Sequence, residues 1–290
     1  MMSQSVEARR RKLRRARAKR IGIVVAYVLL TAGSIMMIIP FAWTISSSLK
    51  HPDKLLTFPP EWIPKPVWWQ NYPDAVRAVP LFRFWLNSFF LSTTLMLTQV
   101  ATAVLAAYAF ARMRFPGRDT LFLLYIGTMM VPSQVTLIPR FLIVRYLGLI
   151  DSYGGVMLPM FIYVLGTFIM RQYFLTLPYE LEDAARIDGC GRLRSLWHII
   201  LPLAKPALST VAIFSFKNTW NEFLWPLIVL NTYEKYPIQV GLAFFRSQVK
   251  TEWELLLAGT VIAMAPLVVL FLFGQRYFIK GISLTGMGGR

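Results

Sequence analysis

The stretch "ELEDAARIDG", residues 180 to 189, sets five charged side chains into ten positions of a chain in which only 16% of residues are charged. Glu182, Asp183, Arg186 and Asp188 can form ion pairs and complement helix ends, which is the chemistry of docking rather than of bond making. A second polar cluster is formed by Lys217, Asn218, Trp220, Asn221 and Glu222. It combines amides and charges with an indole ring, the mixture that a hydroxyl-rich ligand requires. Sets of residues for covalent chemistry are missing. A single cysteine, Cys190, and two histidines, His51 and His198, cannot supply a zinc cluster. The sequence holds no Gly-Lys dipeptide, so a phosphate-cradling G-x-x-x-x-G-K-[ST] loop is absent. No catalytic residue, metal site or cofactor is expected in this chain, and any ATP must be handled by a partner.

The surroundings of these two clusters are apolar. Hydrophobic residues make up 56% of the 290 positions and the mean hydropathy is +0.51, whereas a soluble domain carries about a quarter charged residues. Runs long enough to cross a bilayer, about 17 to 25 residues, recur six times. The expected spans are about 21–43, 84–111, 120–139, 152–170, 206–231 and 255–275. Only the fifth carries charges inside it, Lys217 and Glu222. The fold class is therefore an all-α integral membrane protein of six transmembrane helices. A basic tail, 1–20, precedes the six-helix domain, 21–280, and a short tail, 281–290, follows it.

Orientation follows from the basic residues, which concentrate on cytoplasmic loops. Nine precede Ile21, three lie from Arg112 to Arg118, five from Arg171 to Lys205 and three from Arg276 onward. Ten fall on the opposite face and Lys217 lies within a span. Both termini, and "ELEDAARIDG" with them, are placed on the cytoplasmic side of the membrane. The run "RRRKLRRARAKR" abuts the first span, so it reads as a topology determinant leaning on anionic lipid rather than as a nucleic-acid site. That span exceeds the roughly 7 to 15 apolar residues of a cleaved signal and no small-residue cleavage pattern follows it, so it is retained.

Two helices are expected in the cytoplasmic loop 178–202. Pro178 suits a first helical position, Glu180, Glu182 and Asp183 load the positive end of the helix dipole, and Gly189 can terminate the helix. Leu181, Ala184, Ala185 and Asp188 would form a narrow face of small residues for close docking. A second run sets Leu193, Leu196, Trp197 and Ile200 on one stripe along the inner membrane face, and Pro202 ends it.

The spacing Asp183-Ala184-Ala185, three residues, Gly189, nine residues, Ile199, one residue, Leu201-Pro202 resembles the E-A-A-x3-G-x9-I-x-L-P loop of the membrane subunits of binding-protein-dependent ABC importers. Asp183 stands where that family has Glu. The segments "YAFARMRFPGRDTLF", "MMVPSQVTLIP", "LGLIDSYGGVMLP", "NTWNEFLWPLIVL" and "RYFIKGISLTG" are similar to the carbohydrate-uptake branch, and to the smaller membrane subunit of the maltose transporter. The resemblance implies a coupling helix that docks on an ATPase subunit. Glu182, Asp183, Ala184, Ala185, Arg186, Asp188, Gly189, Ile199, Leu201 and Pro202 would form that site, with Asp183 as the anionic contact and Gly189 as the turn. It further implies a place in a bacterial or archaeal cell (inner) membrane, a second homologous permease, an ATP-binding subunit dimer that holds ATP and magnesium, and an extracytoplasmic solute-binding protein that delivers a sugar or related polyol derivative.

Inside the fifth span an ionisable residue faces a bundle interior, a cavity or a partner. Lys217 and Glu222 could neutralise one another, and the cluster is a candidate lining for a translocation pathway, with Asn87 and Gln134 as further candidates. Isolated amides such as Asn87, Gln99 and Gln134 equally suit hydrogen bonds between helices. Prolines 132, 139, 159, 226 and 266 permit bends in or near spans. Residues 45–82 contain seven prolines with Trp62, Trp68 and Trp69, which suits a loop anchored at the headgroups or contacting a binding protein. Three rival readings are a permease for a peptide or amino acid, a passive channel and a membrane-embedded enzyme. A channel would need no cytoplasmic docking loop, and an enzyme would need convergent His, Asp or Cys groups.

Overall fold

A computed structural model of the chain describes the backbone of residues 2–246 and 251–285, and side-chain surroundings for 19–246 and 251–275. The basic run ahead of Lys19 therefore has a described backbone only, and residues 286–290 of the expected C-terminal tail lie outside the described residues. The described residues form helices and an isolated bridge between Arg246 and Thr251.

Three helices are long and apolar enough to cross a bilayer unbroken: Lys19–Ser48 within α1 (Met2–Ser48), α3 (Leu81–Arg112), and Trp253–Gln275 within α14 (Trp253–Thr285). Between α1 and α3 lie a loop and the short α2 (Asn71–Ala78). Asn71 ties this region together, donating from Nδ2 to Ser48 O and Lys50 O at 2.9 and 2.8 Å.

α3 is the spine of the molecule. Leu81, Phe84, Leu91, Leu95, Val104, Ala107 and Ala111 recur at intervals of three and four residues, or sums of these, and are all buried, so one stripe of the helix faces protein along its length. Residues of α3 enter three separate apolar cores. α1 differs, because the apolar window of its span is wholly exposed in the isolated chain.

The third, fourth and fifth expected spans are interrupted, whereas the sequence reading takes each as one run. α4 (Arg118–Gly127) gives way to a 3-10 turn, Thr128–Met130, and then to open chain before α5 (Leu137–Tyr146). Val131 is extended, φ −82° and ψ 116°, as a residue preceding proline must be, and Pro132 donates no hydrogen bond. In the fourth, α6 (Tyr153–Met157) and a 3-10 turn, Leu158–Met160, are separated from α7 (Val164–Thr176) by three open residues and a 40° bend. In the fifth, α11 (Lys205–Trp220) stops at Asn221 and α12 (Leu224–Val229) resumes beyond Phe223.

Unwound backbone at membrane depth is tolerated only where it is buried in protein or lines a cavity. Side chains of α3 meet part of that requirement. Gln99 Nε2 donates to Met160 O at 2.6 Å and Thr102 Oγ1 to Phe161 O at 3.0 Å, both at the break ahead of α7. Ser215 Oγ of α11 donates to Gln99 Oε1 at 2.7 Å, so one amide joins three elements.

Candidate functional site

The acidic segment folds as α8 (Glu180–Ile187), two residues later than Pro178 would start it, with Tyr179 at the N-cap. Its first turn carries Glu180, Glu182 and Asp183, where negative charge is favoured by the unpaired N–H groups. Gly189 closes the helix at φ +75°. Its N–H donates to Arg186 O at 3.0 Å and the Cys190 N–H donates to Ala185 O at 2.8 Å, the paired bonds of a Schellman ending, which needs a left-handed residue at this position.

The two central acids of α8 face opposite ways. Glu182 is buried at 4% exposure, and Ala185, one turn later, is buried beside the bundle. Asp183, Ala184, Arg186, Ile187, Asp188 and Gly189 are exposed. Asp183 lies 3.5 Å from Arg186 in an exposed i,i+3 pair, which contributes little to stability. The narrow small-residue face expected from the sequence is therefore divided. Leu181, Ala184 and Asp188 stay accessible, while Ala185 is taken by the chain's own core.

Buried Glu182 is met by residues that the sequence reading passed over. Arg112 Nε of α3 stands 3.2 Å from Glu182 Oε1, with both side chains almost fully buried. The distance makes an ion pair, but Nε, Nη1 and Oε1 lack a hydrogen bond of good geometry. Tyr108 of α3 donates from its hydroxyl to Glu182 Oε2 at 3.1 Å. Arg112 Nη2 also donates to Phe174 O, which accepts the Leu177 N–H as well, and, at 2.7 Å, to Leu177 O, carbonyls at the C-terminal end of α7. The Tyr179 ring lies 4.2 Å from the guanidinium, and its hydroxyl donates to Ala111 O at 3.0 Å. The available sequence signal was Arg112 at the end of the second expected span, in "YAFARMRF", where it served only as a counted positive charge.

After the turn, α9 (Arg192–Ser195) continues through a wide π turn, Leu196–Ile200, into α10 (Leu201–Leu203). The helix passes Pro202 and ends at Leu203, one residue later than expected, the proline falling directly after the wide turn that the Leu201 N–H closes on Leu196 O. The expected stripe of four splits. Leu196 and Ile200 are fully buried with Leu201 among Ala107, Met170 and Val211, while Leu193 and Trp197 are exposed. Ile199 is half-buried and Pro202 exposed. The segment 192–203 meets α11 at 86°.

The polar cluster of the fifth span surrounds the end of α11. Lys217, Asn218 and Asn221 are exposed. Asn218 Nδ2 donates to Tyr163 Oη at 3.3 Å, and Gln239 Nε2, in α13 (Ile238–Ala243), donates to Asn221 Oδ1 at 3.4 Å. Glu222 Oε1 accepts the Trp225 N–H at 3.2 Å at the start of α12. Among the described residues Lys217 and Glu222 form no ion pair with each other. Trp220 lies in the core at 1% exposure, its indole N–H donating to Ala263 O at 3.0 Å. Asn87 Nδ2 donates to Glu234 O and Tyr236 O at 2.8 and 3.0 Å, and Gln134 is exposed in the break beyond α4.

A clamp at the other end of the bundle was also missed. Asp151, in the left-handed region at φ 58°, accepts from the N–H groups of Asn231 and Thr232 at 2.9 Å each, from the Thr232 hydroxyl and from Lys235 Nζ at 2.9 Å. These donors hold its carboxyl well below the usual carboxylate range, the Thr232 hydroxyl contributing most.

The sequence profile of the binding-protein-dependent transport system inner membrane component family matches residues 99–284, which include α8, its buried seat and all three interrupted spans. The chain belongs to this family. Among membrane components of this kind, the arabinooligosaccharides transport system permease protein AraQ of Bacillus subtilis is 34% identical over 273 residues, 93% of this chain and 96% of its own length. AraQ of Halalkalibacterium halodurans is 38% identical over 220 residues, 76% and 79% of the two chains. The sn-glycerol-3-phosphate transport system permease protein UgpE of Yersinia pestis is 31% identical over 267 residues, 89% and 95%. A chain from a bacterial ABC transporter involved in import of the acidic polysaccharide alginate superposes with a TM-score of 0.80 at 26% identity, covering 90% of this chain and 98% of that one.

Proposed function

We propose that this chain is one of two membrane subunits of an ATP-driven importer that carries a sugar or related polyol derivative handed over by an extracytoplasmic binding protein. The chain spans the inner membrane six times with both termini in the cytoplasm, the third, fourth and fifth spans each being a broken helix. α8 is the coupling helix, and its exposed residues Asp183, Ala184, Arg186, Ile187 and Asp188 dock on one subunit of an ATPase dimer. That dimer holds the ATP and magnesium, and this chain performs no covalent step. Closure of the ATPases draws α8 towards its counterpart on the second permease and turns access from one side of the membrane to the other.

The observation that carries the reading is the division of labour on α8. One acid, Glu182, is sunk into the bundle on Arg112 while its neighbour, Asp183, stands in the open, which is what a rigidly mounted hydrophilic docking element needs. Membership of the family supports the transport role, and the names of the relatives, for arabinooligosaccharides and glycerol 3-phosphate, support a polyhydroxylated cargo. Lys217, Asn218, Asn221 and Gln239 with Tyr163 form a polar edge beside the broken fifth span. We assign them to the pathway wall that faces the second permease, with Trp220 fixing their height from behind.

The test is purification of a tagged chain from its native host. A second permease and an ATP-binding subunit are expected to copurify, and uptake into proteoliposomes is expected to require ATP and a cognate binding protein. Uptake without ATP or partners would make the chain a passive channel. Competition by a peptide or amino acid, and not by a sugar, would move the cargo to the other class.

A further inference from the structure

We propose that Arg112 and Glu182 form the joint that fixes the coupling helix to the spine of the bundle, so that α8 and α3 move as one body when the ATPases close. This inference rests on the reading of α8 as the coupling helix. In it, Arg112, Glu182 and Tyr108 are positioning residues, touching neither nucleotide nor cargo.

Three elements converge on one guanidinium. Arg112 is the last residue of α3. It reaches Glu182 of α8 by charge, Phe174 and Leu177 at the end of α7 by hydrogen bonds, and the Tyr179 ring at the start of α8 by a cation–π contact. Tyr108 and Ala111, on the same turns of α3, add bonds to Glu182 and Tyr179. Such a pair is a poor device for stability alone, since two buried charges cost much desolvation and well-packed apolar residues often serve as well. Its geometry is suited to fixing direction instead. A planar fork with several donors, held by three helix ends, allows little rotation of α8 against α3. The incomplete hydrogen bonding of Nε, Nη1 and Oε1 means that the pair is held by charge and by its surroundings together.

The other end of this body reaches the broken spans. From Arg112 back to Gln99 is thirteen residues of continuous α3, about 20 Å of helix. There Gln99 and Thr102 hold Met160 O and Phe161 O at the break before α7, and Gln99 also receives Ser215 of α11. Tyr163, the last open residue of that break, receives the Asn218 bond of the polar edge. Displacement of α8 is thereby delivered through Arg112 to the unwound backbone beside the proposed pathway. Without the joint, α8 is tethered through its loop ends and Ala185, and part of its motion is lost.

The experiment uses the complete transporter copurified from the native host and carried into nanodiscs. Spin labels are placed at Glu180→Cys on α8 and Leu97→Cys on the exposed side of α3, with Cys190→Ser to remove the native thiol, and their separation is measured without nucleotide and after trapping with ATP and vanadate. In the parent protein a single narrow distance, the same in both states, is expected. In Arg112→Gln or Glu182→Gln that population is lost in the trapped state, the double variant is no worse than Arg112→Gln alone, because the contact that Glu182→Gln breaks is already gone there, and basal ATP hydrolysis persists. Tyr108→Phe, the mildest change, broadens the same distance by less. The proposal is overturned if the parent distance changes on trapping, if the distance stays narrow in both charge variants of the assembled complex, or if their effects add. A general loss of folding would lower the yield of complex without altering the distance in what assembles. If the parent chain recovers no ATPase at all, the reading of α8 as a coupling helix fails first.

Discussion

Ile187 is the last residue of α8 and 88% exposed, an apolar side chain standing beside Asp183 and Arg186 where the chain itself gives it almost nothing to touch. If α8 docks in a cleft of an ATPase subunit, Ile187 is the part of that surface whose burial favours binding most. Truncation to alanine removes three methyl or methylene groups at about 0.8 kcal/mol each, and scaling by the exposed fraction gives about 2 kcal/mol. That loss weakens docking about 30-fold. The same exposure means that folding loses little, since surface changes away from packed features stay within about 0.5 kcal/mol. The assay titrates the ATPase subunit onto the parent and Ile187→Ala membrane subunits in nanodiscs and follows thermal unfolding in parallel. A fall in ATPase affinity with an unchanged melting temperature is expected. Equal affinity, or a melting temperature lowered in proportion to the lost affinity, would refute the assignment of this face.

Gly189→Ala forces a Cβ into a left-handed position, φ +75° with no atom nearby to clash, so it should weaken the α8 ending by about 1 kcal/mol and speed amide exchange at residues 186–190 about fivefold. Gly191→Ala, at φ −71° and equally uncrowded, should leave exchange unchanged. The Asp151 clamp should be insensitive to pH from neutrality down to about pH 4, the ordinary carboxylate value, and lose its stabilising contribution below it, because the folded carboxyl is held lower than the unfolded one. Thermal stability of Asp151→Asn, which tolerates the same φ of 58°, should lack that acid limb, and an unaltered limb would place the titration elsewhere. Gly241→Ala would set a Cβ 2.1 Å from Phe84 Cδ2 inside a core where Phe84 is fully buried. It should destabilise the chain by about 1 to 3 kcal/mol, read as a lower unfolding temperature, and an unshifted one would show that Phe84 can move aside.

The residues of α8 that make it a helix were legible without coordinates, because caps, dipole charges and a terminal glycine act within one or two turns. The apolar runs were legible for the same reason, since the length of hydrocarbon that a bilayer demands is a local property of the chain. Hydropathy also sees the third, fourth and fifth spans as continuous, because it averages over the very turns that unwind. The break at Met160 depends on which neighbour can take up freed backbone groups, and Gln99, sixty-one positions earlier, does so only once the helices are assembled. The same limit applies to the paired acids. Glu182 and Asp183 are adjacent and alike in sequence, and the 100° between successive helix positions separates them, but which of the two is buried is settled by Arg112, seventy positions earlier. Likewise Leu193 and Leu196 belong to one apolar pattern, yet the bundle has room to bury Leu196 alone. Sequence thus determined the solvent, the helical character of the chain and the place of its charged segment, all set by short-range chemistry. Tertiary structure decided which of those side chains face inward, because burial depends on partners that only packing brings within reach.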